Sequence, residues 1–176
     1  MLRALFLMTL SVLVPTAGAD PNQDHDDHAA PGLGAHVHGA VTVNLALEAE
    51  LLVAELDAPA LQVLGFEKAP RSAIERAAVS DVDRWLASGR EFLAVPQTAG
   101  CRLLKTEYTP PALGGDHADY RVRTSFRCSR PNQLAWVELW MLRRLQGVEK
   151  VEVNLVTPSG QRQVTLPTGT LRVPLR

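Results

Sequence analysis

The chain has 176 residues, 18 basic and 19 acidic, for a formal charge of −1. A surface that grips phosphates needs a basic excess or a clustered basic stripe, so this balance argues against a nucleic-acid partner. The length fits one domain.

In chain order, Arg3 precedes an apolar run from Ala4 to Val14, then Pro15 and the small residues Ala17-Gly18-Ala19. That order of basic, apolar and small-residue regions predicts a cleaved secretory signal over residues 1–19. A membrane-spanning helix needs about 20 apolar residues, and this run is about half as long. No later stretch approaches that length, so no membrane span is expected in the mature chain. Residues 20–35 are rich in Asp, His, Ala, Gly and Pro with no apolar period, which predicts a mobile His/Asp arm.

A single domain is expected over 36–176. Val41, Val43, Leu45 and Leu47 alternate with Thr42, Asn44, Ala46 and Glu48, the period of a half-buried strand. A second strand, Leu51 to Leu56, follows after a link so short that the two should pair antiparallel. Pro59 to Phe66 reads as a short helical turn or loop. Ile74, Ala77, Ala78, Val82, Trp85 and Leu86 then recur at helical spacing. Ser72 with Glu75 resembles a capping box, and Gly89 stands where the helix would stop. The apolar stripe of this helix should lie on a sheet face.

Cys101 to Tyr108, Tyr120 to Cys128, Ala135 to Leu142, Val148 to Thr157 and Gln163 to Leu166 read as further strands. Ala135 to Leu145 also fits a helix face, and strand is the preferred reading. Thr157-Pro158-Ser159-Gly160 is a turn joining two antiparallel strands. The expected class is α+β: a mainly antiparallel sheet with one principal amphipathic helix packed on it and one disulfide.

The two cysteines, Cys101 and Cys128, are expected to pair, because an exported chain meets an oxidising compartment. The midpoint between them falls at Gly114-Gly115, so a hairpin turning there sets them opposite one another, at a Cα separation of about 4.5–5.5 Å.

All five histidines lie in polar, turn-like segments: His25 and His28 in His-Asp-Asp-His, His36 and His38 in His-Val-His-Gly, and His117 in Asp-His-Ala-Asp. Imidazole nitrogens near carboxylates suit a borderline cation such as Zn2+, and copper, nickel or cobalt by the same chemistry. In an extended strand positions 36 and 38 project to one side, so their rings can converge on one ion. Asp116 beside His117 adds a carboxylate. Against these readings stand a solvated arm and a turn held by Asp side chains. There is no Gly-x-Ser-x-Gly elbow, no Gly-x-Gly-x-x-Gly and no P-loop, and no carboxylate pair is marked for acid and base roles, so no enzyme is expected.

His-Val-His-Gly at 36–39 leading into Val-Asn-Leu-Ala-Leu, Leu-Gly-Phe-Glu-Lys-Ala-Pro at 64–70, and Val-Asn-Leu-Val-Thr-Pro-Ser-Gly-Gln-Arg at 153–162 resemble the zinc-associated periplasmic ZrgA family. The resemblance implies a periplasmic zinc-binding protein, a store or carrier that assists zinc uptake and hands the ion to an importer's periplasmic binding protein. It carries over His36 and His38 as ligands, with His117 and Asp116 as the remainder of a loop site. Members of the family often hold a long histidine-rich insertion between the cysteines; here that loop is Thr109 to Asp119 with His117 alone. Lys68 stands where the family frequently has histidine, and a protonated ammonium cannot ligate. Affinity for the ion is expected to weaken below about pH 6 as imidazoles protonate. The competing reading is a metal-free envelope module that docks a protein partner.

Overall fold

The computed structural model describes residues 39–115 and 118–176. The predicted leader and arm lie outside the described residues, as do His25, His28, His36, His38, Asp116 and His117.

The alternation at the start of the domain gives two antiparallel strands, β1 (Ala40–Glu48) and β2 (Leu51–Pro59). The two-residue link Ala49-Glu50 fixes their register, with Val43 opposite Leu56 and Leu45 opposite Ala54. These four side chains all point into the core, since residues directly opposite share a face. A five-residue helix, α1 (Ala60–Leu64), follows and ends at Gly65.

The main helix, α2 (Ala73–Ser88), begins where its capping residues dictate. Ser72 Oγ accepts the Glu75 N–H at 3.1 Å, and the Glu75 carboxylate accepts the Ser72 N–H at 2.7 Å. Those backbone donors, Ser72 first and then Arg71, hold the Glu75 carboxyl below its ordinary range. Gly89 closes the helix at φ 61°, a left-handed conformation that glycine adopts without strain.

Strands β3 (Cys101–Thr109) and β4 (Asp119–Cys128) form the long hairpin expected between the cysteines. Cys101 and Cys128 are directly paired in register and joined by a disulfide, at a Cα separation of 3.8 Å, closer than the expected spacing. Asp119, read from sequence as part of the loop, is the first residue of β4. Further on, β6 (Lys150–Thr157) and β7 (Gly160–Leu166) form the hairpin turned by Pro158-Ser159.

These strands make one six-stranded sheet in the order β3-β4-β2-β1-β6-β7. Every neighbouring pair is antiparallel except β1 with β6, which run parallel from Ala40 beside Lys150 to Ala46 beside Val156. The class is α+β, with a mixed sheet and one main helix.

The segment Ala135 to Leu145 departs from the strand reading. Only β5 (Trp136–Glu138) is extended, pairing with β8 (Arg172–Pro174) in a separate two-stranded sheet. Trp140–Arg144 then coils into a 3-10 turn. Val137, Leu139 and Met141 are fully buried, and the turn lets consecutive large side chains reach the core while Arg143 and Arg144 remain outside.

One face of the large sheet is buried. Val41, Val43, Leu45, Leu52, Leu56, Tyr120, Val122 and Val153 form a single apolar cluster with Trp85 and Leu86 of α2, Phe92, and Val137 and Val173 of the small sheet. Each fully buried Val, Leu or Phe side chain contributes about 1.5–3 kcal/mol. The helical stripe is not engaged at its N-terminal end, where Ile74 is 82% exposed. The Tyr108 hydroxyl of β3 bonds the Asp83 carboxylate, and Gly89 lies against Thr106. Ile74 is nine residues before Asp83, about 14 Å along the helix, past the end of the strand it packs on.

Candidate functional site

The register places four chain ends together. Pro59, the last residue of β2, is opposite Asp119, the first of β4. Continuing the β1–β2 register sets Ala40 opposite Pro59, and Ala40 is beside Lys150 at the start of β6. The entries of β1, β4 and β6 and the exit of β2 therefore share one end of the sheet.

Backbone bonds pin this end. The Gly39 carbonyl accepts the N–H groups of Glu149 and Lys150 at 2.9 and 3.0 Å. At Gly39 φ is 84° and a Cβ would sit 3.1 Å from the Glu149 side chain, so glycine alone fits there without strain. The Ala60 N–H donates to the Ala118 carbonyl at 2.7 Å, and the Gly114 N–H donates to the Glu67 carbonyl at 3.2 Å. The β3–β4 hairpin is thereby fastened to the segment linking α1 to α2.

Carboxylates gather around these entries. Asp119, whose side chain is 12% exposed, pairs with Arg121 at 3.6 Å, and Arg121 donates to Asp57 at 2.9 Å. That bond, with the charge of Asp57 behind it, pushes the Arg121 guanidinium further toward its charged form. Among the described residues no three His, Cys, Asp or Glu side chains come together in a group that could hold a metal ion.

The sequence-predicted donors lie outside the described residues and adjoin this end in sequence. His38 immediately precedes Gly39, His36 is two residues further back, and Asp116-His117 immediately precede Ala118. Each of these candidates is therefore one to three residues in sequence from Gly39 or Ala118. Strands β1 and β4 are separated by β2 alone, a span of about 10 Å. No such connection bears on His25 and His28.

A family model described as ZrgA family zinc uptake protein matches residues 35–175. The chain belongs to this ZrgA family. The match points to a zinc-related function and takes in His36, His38, Asp116, His117 and both cysteines, while His25 and His28 precede it. No curated protein matches the chain.

Sequence reasoning missed one feature of this ZrgA-family domain, a hydrogen-bonded row that crosses the face of the sheet opposite the core. Gln163 donates to Asn154 at 3.1 Å, Asn154 to Asn44 at 2.8 Å, and Asn44 to Glu55 at 3.4 Å. Arg123 donates to Glu55 and lies 3.6 Å from Glu107, which accepts from Lys105 at 2.7 Å. The row visits all six strands. Its signal was present in the polar half of each alternating pattern, but which polar residues share a rung depends on strand order.

Proposed function

We propose that this protein captures zinc in the periplasm after export through a cleaved signal, acting as a store or carrier that assists uptake. His36, His38 and His117, with Asp116, hold the ion, and His25 and His28 in the arm supply further donors. The observation that carries this reading is the convergence of Gly39 and Ala118 at one end of the sheet. Gly39 and Ala118 are the described residues next in sequence to His38 and His117, and their shared end supports one ion taking donors from two segments that are 78 residues apart between His38 and Asp116.

Family membership supports the choice of zinc over other divalent metals. The disulfide agrees with an oxidising compartment. Zinc takes four ligands in closed structural sites and three where one position exchanges. Two of these imidazoles with the Asp116 carboxylate make three ligands and leave the fourth position open to water or to a receiving protein, the arrangement a handover requires. The recipient class that this chemistry suits is an importer's periplasmic binding protein with a closed, tighter site.

The test is calorimetric zinc titration at neutral pH of the chain as purified from cells and stripped with chelator. The parent should take up zinc, and H36A/H38A and H117A should each lose at least about tenfold in affinity, the scale of a removed ligand or its support. Unchanged circular dichroism in the variants assigns that loss to the site. A parent that takes up no zinc leaves the metal-free docking module as the better account.

A further inference from the structure

The two edges of the six-stranded sheet are built differently. The outer strand β3 is interrupted by a register shift between Leu103 and Lys105 and carries Arg102, Lys105 and Glu107. Bulges and charges of this kind discourage another strand from adding to an edge. The outer strand β7 is less protected: its register with β6 is unbroken from Gly160 to Leu166, and Arg162 is its one charged residue. Among the described residues, no backbone bond reaches β7 from any segment other than β6.

We propose that β7 is the docking edge for a second copy of this chain, pairing antiparallel about a two-fold axis through Gln163. A two-fold interface must be self-complementary, and this strand meets that condition. With Gln163 opposite its own copy, Gln161 faces Thr165 and Arg162 faces Val164, so no rung sets like charges against each other. The Arg162 guanidinium donates to the Pro174 carbonyl within its own copy, which occupies it away from the pairing rungs.

The sheet face opposite the core points to the same axis. The amide row Asn44–Asn154–Gln163 ends at this edge, and an amide carries both a donor and an acceptor. Gln163 of one copy can therefore bond Gln163 of the other and carry the row across the junction. One seven-residue strand pair buries less than a standard interface, so association should be weak and concentration-dependent.

The experiment is sedimentation equilibrium of the chain as purified from cells, with chelator present throughout so that histidine cross-linking through metal cannot contribute. The parent should shift from monomer toward dimer as concentration rises to about 1 mM, the range of a small interface. Q163K and Q163E should each stay monomeric, because the two-fold sets like charges directly opposite. An equimolar mixture of the two should associate again, which a folding defect would not allow. A parent that remains monomeric throughout overturns the proposal, and so does a dimer that survives in Q163K.

Discussion

Arg102 and Arg127 stand directly opposite one another across β3 and β4, one rung from the Cys101–Cys128 disulfide. Both side chains are exposed, and opposed like charges on a ladder are destabilising. The disulfide holds closed a rung pair that repulsion would open. R102E should therefore stabilise the domain by about 0.2–1 kcal/mol, the value of an opposite-charge cross-strand pair, with the gain shrinking in high salt. C101S/C128S should cost about 3–4 kcal/mol, since the bridge closes a loop with a sequence separation of 27. Urea midpoints for the parent, each variant and their combination check both values. An R102E that unfolds at lower urea than the parent would contradict the first.

Gly89 does two things at once, ending α2 and letting it approach β3. A Cβ there would lie 2.1 Å from Thr106 Oγ1 and 3.2 Å from Leu103, at a backbone φ of 61°. Thr106 Oγ1 is buried, so the side chain must shift within the packed interior to make room. Left-handed strain and overpacking together predict that G89A destabilises by about 2–4 kcal/mol. G147A is the control, because Gly147 has a similar φ of 57° with nothing within 4 Å of its added Cβ. Thermal unfolding should separate the two variants by the packing part alone.

Ala49 carries strain that glycine would remove. It is the first residue of the two-residue β1–β2 link and sits at φ 48°, where an L side chain approaches the following carbonyl. A49G should therefore stabilise the domain by up to about 1 kcal/mol, the left-handed penalty less the extra backbone freedom glycine brings to the unfolded chain. The midpoint of urea unfolding is the readout. Loss of stability in A49G would mean that unfolded-state entropy outweighs the strain.

Elements whose signals are local were legible in the sequence. Ser72, Glu75 and Gly89 mark both ends of α2 through bonds within a few residues, and Val41 to Leu47 announce a strand by alternation alone. The hairpin between the cysteines was legible for the same reason, since Gly114-Gly115 turns it at the midpoint. Trp136 to Arg144 was not: the same apolar spacing serves a strand or a tight turn, and the choice is made by Phe92 and Val173 packing from distant parts of the chain. The parallel pairing of β1 with β6 spans more than 100 residues and leaves no mark in either strand. The histidines were chosen for their chemistry, and strand order alone brings Gly39 and Ala118 to one end.

Tyr108 and Tyr120 are the chain's two tyrosines, and their rings stack with centroids 6.3 Å apart and planes 4° from parallel. Burial pushes both hydroxyls toward later ionisation, that of Tyr120 up to about 12; for Tyr108 the hydrogen bond to Asp83 adds to burial. A group with its folded pKa raised favours the native state at any pH below the unfolded value, near 10 for tyrosine, and that contribution is lost as pH rises through the folded value. Tyrosinate absorbance should therefore stay low near pH 10 and appear only as the domain unfolds, between about pH 10 and 12. Y120F should delay that loss, because the Tyr120 hydroxyl is buried with no hydrogen-bond partner among the described residues and the variant removes both the unmatched group and its titration. A tyrosinate signal that rises near pH 10 while circular dichroism remains native would show that the pair is open to water and overturn this account.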